Sequence, residues 1–123
     1  MEQTKILIVD DEPNIVLSLD YLVRKKGFVP FIARNGAEAL SIAEKECPNL
    51  IVLDIMMPDM DGYTLTAEVK ADPKLRGLHV ILHTSLSGVF NQQMVQKVGA
   101  EDFIAKFNPD ELAQSVQKWL HAD

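Results

Sequence analysis

The sequence predicts an α/β fold: a five-stranded parallel sheet with helices wound over both faces. Three observations predict it. Short, continuously apolar runs recur along the chain, namely Ile6-Leu7-Ile8-Val9, Leu50-Ile51-Val52-Leu53 and Val80-Ile81-Leu82. Stretches of helical periodicity separate them. Acids, a hydroxyl and a lysine stand directly after the runs, where open sheets of this kind carry their sites.

Strands that are apolar at every position are buried on both faces, as in the middle of a parallel sheet. The three runs are therefore strands one, three and four. Phe28 to Ala33 and Phe103 to Ala105 read as weaker strands, two and five. Pro30 lacks an N–H for a ladder, which places the second strand at an edge. Between strands, Ile15, Leu19, Leu22 and Val23 form the stripe of a first helix, and Leu40 and Ala43 begin a second. Leu65 and Val69 mark a third, Phe90, Met94 and Val98 a fourth, and Leu112, Val116, Trp119 and Leu120 a fifth. Asn35 with Glu38, and Asn108 with Glu111, fit capping boxes; Pro109 then falls at a first helical position. Gly27 and Gly99 sit where helices should stop. The alternation is (βα)5 with right-handed crossovers, doubly wound. A central first strand and an edge second strand favour the flavodoxin-like order 2-1-3-4-5.

Bulk properties narrow the function. The 123 residues fit one domain, residues 1–123, and no output domain is expected within them after the last helix. A domain of this size folds without disulfides, and the single Cys47 fits a reducing compartment. The 18 acids against 12 bases give a net charge of -6, which disfavours direct nucleic-acid binding. No apolar run spans a membrane, and the polar Met1 to Lys5 is no signal peptide, so a cytoplasmic location is expected.

The chemistry lies at the carboxyl end of each run. Asp10, Asp11 and Glu12 come after Val9; Asp54 after Leu53; Thr84 and Ser85 after Leu82 and His83; Lys106 after Ala105. Strands one and three are neighbours in the expected order, so three aspartates converge. Close carboxylates repel and raise one another's pKa values, and a hard divalent cation relieves this. Mg2+ suits a few carboxylates plus water and phosphate oxygens. With the Lys106 charge and the Thr84 hydroxyl, the set can receive a transferring phosphoryl group, and a carboxylate can be its nucleophile. One such Asp alone reads as a helix cap or turn residue. The whole set, each member at the carboxyl end of its own strand or beside it, points to a site.

These residues resemble the receiver domains of two-component response regulators over essentially the whole chain. The specific pieces are Val9-Asp10-Asp11-Glu12, the run Asp54-Ile55-Met56-Met57-Pro58-Asp59-Met60-Asp61-Gly62, then Thr84-Ser85 and Lys106. The resemblance implies that Asp54 accepts phosphate from a sensor histidine kinase or a phosphotransfer protein. It implies that Asp11 binds Mg2+ directly, Asp10 through water, Asp54 by its carboxylate and Met56 by its backbone carbonyl. Thr84 resembles the switch hydroxyl, Lys106 the phosphate-pairing lysine and Phe103 the switch aromatic. Phosphate would then remodel the face made by the fourth helix, fifth strand and fifth helix, and partners would read that face. Such a protein is a phosphoacceptor that promotes its own phosphotransfer and slow dephosphorylation, not an enzyme with a separate substrate.

Some positions depart from the family or refine it. Receivers carry Pro after the lysine, often in cis; here Phe107 follows Lys106, and cis before a non-proline costs about 2.5–4 kcal/mol, so a trans bond is expected. Ser85-Leu86-Ser87-Gly88 and the segment from Lys106 to Leu112 look like the receiver of chemotaxis coupling proteins. Met56 and Leu86 are apolar where the family tunes phosphate hydrolysis, which predicts a long-lived aspartyl-phosphate. His79 and His83 read as packing or surface residues, Cys47 as inert, and Met56, Met57 and Met60 as loop packing. Two other functions fit less well: a Mg2+-dependent phosphohydrolase, for which the chain has no room for a cap, and a degenerate receiver that binds constitutively, which the intact site set argues against.

Overall fold

The computed structural model describes residues 4–54, 62–75, 77–83, 97, 99–100, 102–104, 111, 114–115 and 118. Most of the sequence-predicted fourth and fifth helices, and the loop after Asp54, lie outside them. The backbone at Lys97 and at Glu111, Gln114, Ser115 and Lys118 is helical.

Five parallel strands form one sheet in the order β2-β1-β3-β4-β5. They are β1 (Lys5–Val9), β2 (Val29–Ala33), β3 (Leu50–Asp54), β4 (His79–His83) and β5 (Asp102–Ile104), with α1 (Pro13–Lys25), α2 (Gly36–Glu46) and α3 (Gly62–Ala71) between the first four. The weaker strands differ from expectation by one residue: β2 starts at Val29 rather than Phe28, and β5 starts at Asp102, while Ala105 lies outside the described residues. Phe28 is instead used to close the preceding helix. Pro30 pairs with Ile6 on the edge strand, which has a neighbour on one side only and so tolerates the missing N–H.

The central strands divide their side chains by strict alternation. Leu7, Val9, Ile51, Leu53, Val80 and Leu82 pack with Ala39 and Ala43 of α2 and Leu65 and Val69 of α3. Ile6, Ile8, Leu50, Val52, Ile81 and Ile104 pack with Ile15, Leu19 and Val23 of α1. Full burial of each such Ile or Leu is worth on the order of 1.5–3 kcal/mol, so these two cores hold the sheet against its helices. This alternation matters for function, because it decides which face each residue at a strand end shares.

Local signals fix the helix ends. Glu12 caps α1 by accepting from the Asn14 N–H at 2.9 Å, with Pro13 in the first turn. The buried face is Ile15, Val16, Leu19 and Val23; Leu22 sits at its margin, half-buried. At the far end Gly27 adopts φ 87, its N–H reaching the Arg24 carbonyl and the Phe28 N–H the Val23 carbonyl, each at 3.0 Å. That pair of bonds is a Schellman motif, and Phe28 packs on the same core cluster as Val23, which completes it. Asn35 caps α2 through the Glu38 N–H at 2.9 Å. Glu38 answers by accepting from the Arg34 N–H, one residue before the capping-box position. Cys47 ends α2 at φ 49 with Pro48 behind it, and its thiol is exposed. Among the described residues no helix is long and apolar enough to cross a membrane.

Candidate functional site

Strand register builds the site. β1 pairs with β3 as Val9↔Leu53, so the next residues, Asp10 and Asp54, come level at the carboxyl ends. Asp54 is in turn level with His83 on β4. Asp10 continues the alternation of Ile6 and Ile8, Asp54 that of Leu50 and Val52, and His83 that of Ile81. All three therefore share the α1 face of the sheet, in one row across three strands. The Asp10 N–H donates to the Ala33 carbonyl at 3.1 Å, which extends the β1–β2 pairing by one residue and anchors the loop into α1.

Asp10, Asp11 and Asp54 each offer a carboxylate oxygen such that all three lie within 4.8 Å of one another. Asp10 is 0% exposed and Asp54 3%, whereas Asp11 faces solvent. Asp10 Oδ1 accepts the Glu12 N–H at 2.9 Å, so the carboxylate also shapes the turn into α1. Its Oδ2 lies 3.4 Å from His83 Nε2, and His83 is wholly buried.

The electrostatics follow from this burial. It pushes the Asp10 carboxyl up to about 7; the Glu12 N–H opposes this, and the charges of Asp54 and Asp11 add to it. Burial pushes the His83 imidazole down to about 4, so it is uncharged at neutral pH. The Asp10–His83 contact is thus one of a neutral ring with a carboxyl group, not an ion pair.

The donor set fits a hard divalent cation. Two buried carboxylates and one exposed one form an all-oxygen cluster open on the Asp11 side, and Asp10 is raised by burial and by the two like charges beside it. An ion there would hold Asp10 ionised.

Of the site residues expected from sequence, Asp10, Asp11 and Asp54 come together. Met56, Thr84 and Lys106 lie outside the described residues, as do Met57, Met60, Leu86 and the Lys106–Phe107 bond. Phe103 lies on β5, opposite Leu82 in register. His83 is the residue that sequence reasoning leaves out of the site. The signal is present in the chain: Val9, Leu53 and Leu82 each end an apolar run, and aligning those ends puts Asp10, Asp54 and His83 side by side.

Comparison with known proteins agrees with this geometry. Residues 6–117 match the response regulator receiver domain. Sporulation initiation phosphotransferase F of Bacillus subtilis is 38% identical over 98% of this chain and 96% of its own. The alkaline phosphatase synthesis transcriptional regulatory protein PhoP of the same organism is 35% identical over 94% of this chain but 48% of its own. The chain spans about half the length of several of the curated relatives that it matches. Among solved structures, response regulator TrrA from Thermotoga maritima, in complex with Mg(2+)-BeF, superposes with a TM-score of 0.83 at 33% identity, covering 95% of this chain and 99% of that one. A CheY-like receiver domain protein from Methanospirillum hungatei gives a TM-score of 0.88 at 29% identity, covering 98% and 96%.

Proposed function

This chain belongs to the response regulator receiver domain family of two-component systems, and we propose that residues 1–123 act as one receiver in which Asp54 is the phosphoacceptor. The observation that carries the proposal is the convergence of Asp10, Asp11 and Asp54, two of them buried, at the ends of β1 and β3. A carboxylate oxygen of Asp54 attacks the phosphorus of a donor phosphohistidine; the new P–O bond forms as the P–N bond breaks, and the imidazole leaves on the donor. The donor is a sensor histidine kinase or a phosphotransfer protein.

Asp10, Asp11, Asp54 and the Met56 carbonyl would hold Mg2+. When bound, the ion offsets charge on the transferring phosphoryl oxygens. The chain's own residues do the rest. Asp54 is held at the end of a fully buried strand, so its carboxylate is fixed in position. Lys106 and Thr84 would each meet a phosphoryl oxygen, and Thr84 with Phe103 would couple the acyl phosphate to the face read by partners. No separate substrate is turned over; with apolar residues at Met56, two past Asp54 in sequence, and Leu86, two past Thr84, the acyl phosphate would outlast many minutes. A cytoplasmic setting fits a kinase-fed domain. The output of any longer protein containing this domain would lie beyond its receiver.

Intact mass after incubation with acetyl phosphate and Mg2+ tests this. A single phosphoryl adduct is expected on the wild type, and none on Asp54→Ala or without Mg2+. No adduct on either protein would favour a degenerate receiver that binds constitutively.

A further inference from the structure

The cross-strand row that holds Asp10 and Asp54 has a third member for which phosphotransfer to Asp54 has no use. His83 is the last residue of β4, 0% exposed, on the same face of the sheet as the two aspartates. Full burial of a polar ring is costly unless it makes specific contacts. Here the ring reaches past β3 so that Nε2 comes 3.4 Å from Asp10 Oδ2.

The other Asp10 oxygen is already engaged by the Glu12 N–H at 2.9 Å. Asp10 Oδ1 is thus held from its own loop, while Oδ2 lies beside the His83 ring of β4, two strands away. A carboxylate oxygen has two lone-pair sites, so either can accept these contacts and still face a cation or its water. Groups behind a metal ligand set its orientation, and their loss typically weakens metal binding by about 10- to 100-fold.

We propose that His83 is a positioning residue of the acidic site: its imidazole orients the Asp10 carboxylate from behind and thereby sets the affinity for the divalent cation. Nε2 stands 3.4 Å from Oδ2, so with the proton on Nε2 a small rotation of the ring would let it donate an ordinary hydrogen bond to that oxygen. This inference rests on the receiver reading of Asp10, Asp11 and Asp54. It goes beyond that reading by assigning to a strand residue the control of cation affinity.

The test is Mg2+ affinity, measured by isothermal titration calorimetry on the full chain, for the wild type, His83→Gln, His83→Asn and His83→Leu. Gln carries an amide nitrogen near the Nε2 position, Asn carries one near Nδ1 and so falls short of Asp10, and Leu carries none. Expected are a Kd for His83→Gln close to the wild type and one weakened about 10-fold or more for His83→Asn and His83→Leu. Should His83→Leu not fold, the Gln–Asn pair decides alone, since both are polar and differ in reach. A second readout is the acetyl phosphate reaction against Mg2+ concentration. The half-saturating Mg2+ should rise in His83→Asn while the rate at saturation holds. Equal Kd values for Gln and Asn, or a loss confined to the saturated rate, overturn the inference. Either result leaves the receiver reading intact provided the wild type binds Mg2+ and takes up phosphate; a wild type that does neither overturns both.

Discussion

Asp10 and Asp54 stand level on neighbouring parallel strands, both shielded from water and both part of a carboxylate cluster within 4.8 Å. Without a cation this arrangement works against the fold, because burial and like charge raise Asp10 to about 7. Replacing Asp10 by Asn should therefore raise the urea midpoint of the metal-free protein at pH 8. Adding Mg2+ should raise the wild-type midpoint and leave that of Asp10→Asn nearly unmoved. Mg2+ at ten times its Kd corresponds to about 1.4 kcal/mol. A wild-type midpoint insensitive to Mg2+ would argue against a cation site here.

The pH dependence of Asp10 and His83 has opposite sign. Asp10 has a folded value near 7 against 3.8 for the free group, so folding takes up a proton between these limits. Its contribution is present below 3.8 and is lost as pH rises through 7. His83 has a folded value near 4 against 6.5, so its contribution is present above 6.5 and is lost as pH falls through 4. In metal-free buffer Asp10→Asn should gain stability on the wild type as pH rises from 4 to 7, and His83→Leu should gain as pH falls from 6.5 to 4. Each slope is bounded by about 1.4 kcal/mol per pH unit for one proton. Denaturation midpoints across this range check it; parallel curves would show that burial does not hold these groups as described.

The sheet is legible in the sequence because its central strands are apolar at every position, a pattern that only burial on both faces explains. Pro30 makes the edge strand legible, and with it the strand order. Asp10 and Asp54 are legible as a pair because each directly follows a buried run. His83 is not, because a histidine beside an apolar strand reads as packing until register is known. Cys47 reads as inert from sequence; its backbone role as a left-handed helix stop carries no side-chain signature. Glu38 reads as closing on Asn35; the chain turns tightly enough there that its carboxylate meets the Arg34 N–H instead.

Gly27 and Gly77 separate backbone conformation from packing. A Cβ at either would meet nothing within 4 Å, but Gly27 sits at φ +87 while Gly77 has no such positive value. Gly27→Ala should cost about 1–2 kcal/mol, since the left-handed conformation strains any side chain and the Schellman bonds to Val23 and Arg24 depend on it. Gly77→Ala should be neutral or stabilising by up to about 1 kcal/mol, through a less flexible unfolded chain. Urea denaturation of the two variants checks the contrast, and equal losses would contradict it.

Leu53 and Asp54 are adjacent on β3 but point to opposite faces, Leu53 into the α2–α3 core and Asp54 into the acidic row. Stability and chemistry should therefore separate between them. Leu53→Ala removes a side chain that is 1% exposed and should cost about 2–5 kcal/mol, read as a lower urea midpoint. Below its unfolding transition it should still take up one phosphoryl group from acetyl phosphate and Mg2+. Asp54→Asn should do the reverse: uptake is abolished, while the midpoint in metal-free buffer holds or rises, because a like charge beside Asp10 is gone. Were folded Leu53→Ala to lose phosphorylation, the two faces of β3 would be coupled, and Asp54 would depend on core packing for its position as well as on the strand that carries it.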